Sequence, residues 1–251
     1  MFLTRVKPDS NNVGDIDTLR NDLNVLEFPN DWVTALQCAK ILLHDYGFLR
    51  STEENNPVDR DGKPLPLYTY PAIEYLNNLD FSECNVFEYG SGNSTVYWSG
   101  RARSVVAVEN LPEWYDRIKD EVPPNAQVIF ADGDGFPEAI NDCSVSFDVI
   151  VIDGKGYRFD CAEEAVTKLK PGGMIILDNS DWHFQTAAYL RSKDLIQIDF
   201  SGFRPIQHFT STTSLFLHRQ FALKPRQDRQ PVASIGGKAV HSKGWDKRQR
   251  P

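Results

Sequence analysis

The chain has 251 residues, of which 41% are hydrophobic and 25% charged, and its net charge is −8. This is the balance of a globular chain with room for one α/β domain and an extension, not of a disordered or fibrous one. No apolar run is long enough to span a bilayer, and Met1-Phe2-Leu3-Thr4-Arg5 lacks the apolar core of a secretory signal, so a cytoplasmic location is expected.

The charge is uneven. Residues 221–251 hold eight Lys/Arg against two Asp, which makes them +6 and leaves the rest of the chain at −14. An acidic body argues against a nucleic-acid-binding core, because phosphate contacts need a basic face. The basic segment is rich in Gln, Pro and Gly with little apolar periodicity, and reads as a flexible tail. Cys38, Cys84, Cys143 and Cys161 are scattered without a C-x-x-C pair, which points to buried thiols rather than zinc ligands or disulfides.

In chain order, residues 31–49 read as an amphipathic helix, with Asp31 as cap and Val33, Leu36, Ile41 and Leu42 as an apolar stripe. Residues 51–66 are polar and rich in turn formers, and are expected to form a surface loop. A short helix is expected from Pro71 through Ile73, Tyr75 and Leu76 towards Leu79.

From residue 85 the pattern changes. Near-continuous apolar runs at Asn85–Tyr89, Ser104–Glu109, Ala126–Ala131, Phe147–Asp153 and Gly173–Asp178 read as strands buried on both faces. Helical segments at 111–122, about 136–142 and 159–169 separate them. This βαβ alternation predicts an α/β fold, doubly wound, with a mostly parallel sheet. A helix at about 186–193 then precedes strands at 194–201 and 212–219. With no helix between them, these last two are best joined antiparallel. The expected organisation is an N-terminal helical extension or lid over 1–84, a ligand-binding domain over 85–220 and the basic tail over 221–251.

The first strand runs into Glu88-Tyr89-Gly90-Ser91-Gly92-Asn93-Ser94. Its glycines permit positive φ and close approach of a ligand to the main chain, and the helix that follows aims its N-terminal amides at the ligand. Later strands also end in acids. Glu109, with Asn110 beside it, follows the second and suits ribose hydroxyls; Asp132-Gly133 follows the third; Asp153-Gly154 ends the fourth. Carboxylates repeated at strand ends are hard to explain by folding alone, since buried charge is unfavourable.

These motifs resemble the class I S-adenosylmethionine-dependent methyltransferases over residues 85–220. The resemblance implies a Rossmann-like sheet of seven strands with the last antiparallel. It also implies a cofactor pocket in which Glu88, Tyr89, Gly90, Ser91, Gly92 and Ser94 line the methionine end. Glu109 and Asn110 would then hold the ribose, Asp132 and Gly133 the adenine, and Asp153 would close the site. A nicotinamide-dependent oxidoreductase shares the strand–turn–helix start but wants a third glycine in G-x-G-x-x-G, where this chain has Thr95. A non-catalytic binding module on the same fold is the remaining alternative.

Asp153 and Asp178-Asn179 end neighbouring strands, and two carboxylates with an amide oxygen are hard ligands that suit Mg²⁺ or another divalent cation. The set is similar to that of catechol-type and caffeoyl-CoA-type O-methyltransferases, and Trp182 adds to the likeness with the second group. Lys155 stands near the catechol-type lysine base, one position out of register, and His183 is the second candidate base. His208 lies between the last two strands. Tyr68, Tyr70, Tyr75, Trp98 and Trp114 are candidates for the pocket border. The stretch from Tyr68 to Trp98 looks like a methyltransferase subgroup met beside sugar-modifying enzymes, which implies a glycan or small hydroxylated acceptor.

Overall fold

The structure is a computed structural model that describes residues 32–228 and 230–238. The chain divides into two compact units, Met1–Lys40 and Ile41–Pro251. In the first, the described part is helix α1 (Trp32–Lys40), on which Leu36 is exposed. Asp31 and the side chain of Val33 lie outside the described residues. The expected continuous helix to residue 49 is not formed. Ile41–Asp45 winds as a π turn, and Gly47 at φ 76° stops it before α2 (Phe48–Glu54) begins.

The second unit includes residues 41–84, so the expected division at residue 84 does not coincide with the boundary between units. The expected loop from residue 51 also starts helically. The Ser51 hydroxyl is buried, donates to the Val58 carbonyl (2.6 Å) and accepts from the Val58 amide (3.0 Å), which ties the turn of 55–64 back onto α2. Helix α3 (Tyr70–Asn77) carries Pro71 in its first turn, as expected.

The remaining elements alternate as the apolar pattern predicts. They are β1 (Asn85–Tyr89), α4 (Asn93–Ser99), β2 (Ser104–Glu109), α5 (Pro112–Ile118), β3 (Ala126–Phe130), α6 (Gly135–Glu138), β4 (Phe147–Ile152), α7 (Arg158–Lys168), β5 (Leu169–Leu177), α8 (Phe184–Ser192), β6 (Ile196–Gly202) and β7 (Ser211–Leu217). The sheet has seven strands in the order β3-β2-β1-β4-β5-β7-β6. The first five are parallel, while β7 runs antiparallel to both β5 and β6.

Strand alternation sends side chains to two cores. Val86, Val105, Val149 and Ile176 pack under α3 with Tyr68, Phe81 and Trp98. Phe87, Tyr89, Ile150 and Ile175 pack on the other face with Phe136, Cys161 and Leu190. The two faces together make the near-continuous apolar strands seen in the sequence. Tyr68, Tyr70 and Trp98 are buried in the first core, and Tyr75 packs against Phe200; of these, Tyr70 also borders a cavity against α3, away from the strand ends. After β7 the chain returns along α3, where Leu79 bridges Pro225 and the Asp80 amide donates to the Lys224 carbonyl (2.9 Å). Among the described residues no helix is long and apolar enough to cross a membrane.

Candidate functional site

Register brings the predicted acids into one row. Val108, Tyr89, Ile152 and Leu177 pair across β2, β1, β4 and β5. The next residues along these strands are therefore Glu109, Gly90, Asp153 and Asp178, at the carboxyl end of the sheet where open α/β folds bind ligands. Leu177 pairs with Ser214 on β7, which sets Asp178 beside Thr213, and the Thr213 hydroxyl donates to Asp178 Oδ1 (2.6 Å).

On β1, Glu88 and Tyr89 face opposite ways. Tyr89 is fully buried in the second core and its hydroxyl donates to the Pro137 carbonyl (2.8 Å). Only its backbone faces the site. Glu88 is 1% exposed. Its Oε2 accepts from the Thr95 hydroxyl (2.6 Å), which in turn accepts from the Gly92 amide (3.1 Å). Its Oε1 has no partner. Burial pushes the Glu88 carboxyl up to about 8, against the pull of Ser94 and Thr95 and helped by the charges of Asp153 and Glu109.

Gly90 sits at φ 98°, and a Cβ there would come within 3.3 Å of the Gly154 amide and 3.4 Å of the Asp153 carbonyl. The turn thus needs glycine both for conformation and for close approach to β4. Glu109 organises this turn. Oε2 accepts from the Ser91 amide (3.1 Å) and hydroxyl (3.0 Å), and Oε1 from the Asn110 and Leu111 amides (2.9 Å each). The Trp114 indole donates to the Ser91 carbonyl (2.7 Å) and fixes the far side of the turn. Asn110 donates through Nδ2 to the Lys155 carbonyl (3.1 Å), while its buried Oδ1 has no partner. Asp132 and Gly133 are exposed beyond β3, with Gly133 at φ 53°.

At the other end of the row lie two arginines that sequence reasoning missed. Gly156 (φ 83°) and Tyr157 (φ 54°) turn the chain so that Arg158, the first residue of α7, folds back over the strand ends. Its Nη2 donates to Asp153 Oδ1 (2.9 Å) and to the Asp153 carbonyl (3.2 Å), its Nε to the Gly154 carbonyl (3.1 Å), and its Nη1 to the Asp178 carbonyl. Arg204 Nη1 lies 3.2 Å from Asp178 Oδ2. With its amide oriented to satisfy its neighbours, Asn179 donates to Asp178 Oδ2 (3.0 Å) and accepts from Arg204 Nη1.

All three expected metal ligands are therefore engaged by guanidinium groups. The two carboxylates are balanced by two arginines, and an added divalent cation would meet Arg158 and Arg204 at close range. Among the described residues no group of three or more His, Cys, Asp or Glu is arranged to hold a metal ion. As placed, the donor set of Asp153, Asp178 and Asn179 is taken up by Arg158 and Arg204, an arrangement that disfavours Mg²⁺. Burial and the charge of Asp153 push the Asp178 carboxyl up to about 7, against the pull of Arg204, Thr213 and Arg158.

Of the two candidate bases, Lys155 is exposed and its carbonyl accepts from Asn110, at the β2 end of the row. His183, the residue before α8, is half-buried near Asp153 and Arg158, and burial and the Arg158 charge lower its pKa. His208 is exposed and packs edge-on against Phe209. Two cavities, of about 350 and 560 Å³, lie elsewhere, against α3 and residues 226–236, and neither is lined by the strand-end row.

No protein-family profile matches the chain, and no curated protein matches it. Solved structures do. A provisionally assigned O-methyltransferase from Klebsiella pneumoniae matches at 13% identity and TM-score 0.50, covering 81% of this chain and 96% of that one. The O-methyltransferase TomG from Streptomyces achromogenes, involved in tomaymycin synthesis, matches at 12% identity and TM-score 0.48, with the same coverage. A precorrin-6Y C5,15-methyltransferase from Geobacter metallireducens matches at 16% identity and TM-score 0.48, covering 59% of this chain and 87% of that one. The sheet order and the first of these likenesses show the fold, which is that of the class I methyltransferases.

Proposed function

We propose that this chain is an S-adenosylmethionine-dependent methyltransferase that acts on a hydroxyl of a small acceptor. One observation carries the reading: two buried acceptor oxygens at the strand ends, Glu88 Oε1 and Asn110 Oδ1, have no partner. Buried polar atoms are almost always paired, so unpaired acceptors at the strand ends call for donors that a ligand would bring. The methionine ammonium suits Glu88 and a ribose hydroxyl suits Asn110. Glu109, whose four bonds hold the turn, reaches a ribose hydroxyl when the Ser91 hydroxyl swings aside. Asp132 beyond β3 is the residue for the adenine.

S-adenosylmethionine, when bound, supplies a methyl already activated by its sulfonium. The residues of the chain then have two tasks. The first is positioning: the Gly90 turn, packed against Asp153-Gly154, fixes the cofactor edge, and Arg158 fixes the strand ends that face the acceptor. The second is removing the hydroxyl proton. His183 is the base in this reading, because its lowered pKa keeps it neutral and able to take a proton near neutral pH. With that donor set taken up by Arg158 and Arg204, nothing in the mechanism depends on a metal.

Calorimetry with S-adenosylhomocysteine tests the first half. The wild-type chain is expected to bind it, and Glu109→Ala is expected to lose binding, since the turn and the ribose contact go together. Binding of NAD in its place would favour the oxidoreductase alternative. For the base, His183→Asn is expected to lower kcat about 100-fold and to remove the acidic limb of its pH profile. An unchanged profile would assign the proton transfer elsewhere.

A further inference from the structure

Arg204 lies two residues beyond β6, and its side chain is 7% exposed. One of its three nitrogens is fully used, since Nη1 reaches Asp178 Oδ2 (3.2 Å), Ser211 Oγ (3.3 Å) and the Asn179 amide oxygen. The others are not. Nε is buried without an acceptor, whereas Nη2, which is not buried, forms no hydrogen bond with any described residue. Arg158, the neighbouring partly buried guanidinium, finds acceptors for all three nitrogens. The contrast matters, because an unmade hydrogen bond on a buried charged donor is strongly unfavourable.

Nε and Nη2 form one edge of the guanidinium, two parallel donors whose spacing matches a planar oxyanion. Nη1, held by Asp178 and Asn179, locks the orientation of that edge. The connections on either side carry exposed aromatic rings. Phe203 precedes Arg204, and Trp182 and Phe209, from the β5–α8 and β6–β7 connections, have ring centroids 6.0 Å apart. Such faces stack on flat rings, aromatic or sugar.

We propose that the free edge of Arg204 binds a carboxylate carried on a ring, and that this acid is the methyl acceptor. The second clause rests on the methyltransferase reading, and the first does not. A benzoate-type acid and a sugar acid share the chemistry, and the test separates them.

The ¹⁵N-labelled full chain is titrated with benzoate and with glucuronate, and with benzamide and glucose as their uncharged counterparts. The Arg204 Nε–H signal, assigned from its loss in Arg204→Lys, reports binding. At least one acid is expected to shift it, and its binding is expected to weaken about tenfold or more in Arg204→Lys, which keeps the charge but not the fork. The uncharged counterparts are expected to leave it in place. Because a single change at Arg204 leaves Asp178 buried without its partner, the double variant Asp178→Asn/Arg204→Met removes both charges and is expected to fold without binding the acid.

A signal unmoved by either acid at tens of millimolar overturns the proposal. So does equal binding of an acid and its uncharged counterpart, or acid binding retained by the folded double variant. S-adenosylhomocysteine binding is read separately on the same protein. Cofactor binding without acid binding rejects the Arg204 site alone. Acid binding without cofactor binding keeps the Arg204 site and removes the claim that the acid is methylated.

Discussion

Replacing Glu88 with glutamine is expected to weaken S-adenosylmethionine binding about 100-fold and yet raise the stability of the cofactor-free protein at pH 8. The two effects have one cause. Glu88 is buried with one oxygen unpaired, and its carboxyl is held up to about 8 from an ordinary 4.5. A raised carboxyl pKa favours the folded state while the group is protonated. That contribution is complete below 4.5 and is lost as pH rises through 8. Glutamine stays neutral, so the variant loses this slope and is the more stable form at the upper end by a few kcal/mol at most. Binding has the opposite sign. A cationic ammonium pairs with ionised Glu88, so cofactor entry releases a proton, and affinity should improve up to about tenfold per pH unit below 8. Asp178, held up to about 7, adds a slope of its own. The difference between wild type and Glu88→Gln isolates the Glu88 part. Calorimetry in buffers of unlike ionisation enthalpy counts the released proton. A wild-type dissociation constant that stays flat over this range would remove Glu88 as the ammonium partner.

What the sequence made legible, and what it hid, follows from the range of the interactions. The strands were readable because burial on both faces leaves a continuous apolar run, and β1 and β2 begin and end where that run does. Glu88, Gly90 and Glu109 were readable because a tight turn and an acid at a strand end are local patterns. The side-chain direction of Tyr89 was not readable from the motif: strand alternation sends it into the core while its neighbour Glu88 points the other way. The metal reading meets an obstacle of a different kind. Asp153, Asp178 and Asn179 do converge, but convergence says nothing about which cations of the chain already hold them. Arg158 stands in a helix and Arg204 in a connection 26 residues beyond Asp178, and neither position carries a local signal. One cue was available: carboxylates buried without a metal need fixed cations. Thr95 was noted only as a missing glycine, whereas it bridges the Gly92 amide to Glu88.

Arg158→Ala is expected to destabilise the protein by about 3 kcal/mol or more, whereas a chelator is expected to leave stability and activity unchanged. The guanidinium closes the gap between the ends of β4 and β5, where it pairs with Asp153 and satisfies the carbonyls of Asp153, Gly154 and Asp178. Arg158 is 10% and Asp153 22% exposed at the side chain, so water replaces little of what is lost. Removing the arginine strands a carboxylate and three carbonyl oxygens together, which is worse than removing an ion pair whole. Arg158→Lys keeps the charge but reaches fewer of these acceptors, and should fall between wild type and alanine. Asp153→Asn in the Arg158→Met background removes both charges and should recover part of the loss. Urea denaturation midpoints at constant m-value give the comparison. If Arg158→Ala instead unfolds at the wild-type midpoint, the guanidinium is not what holds the strand ends. If a chelator lowers the wild-type midpoint or rate, a metal is part of the site after all. Both results together would restore the metal reading of Asp153, Asp178 and Asn179.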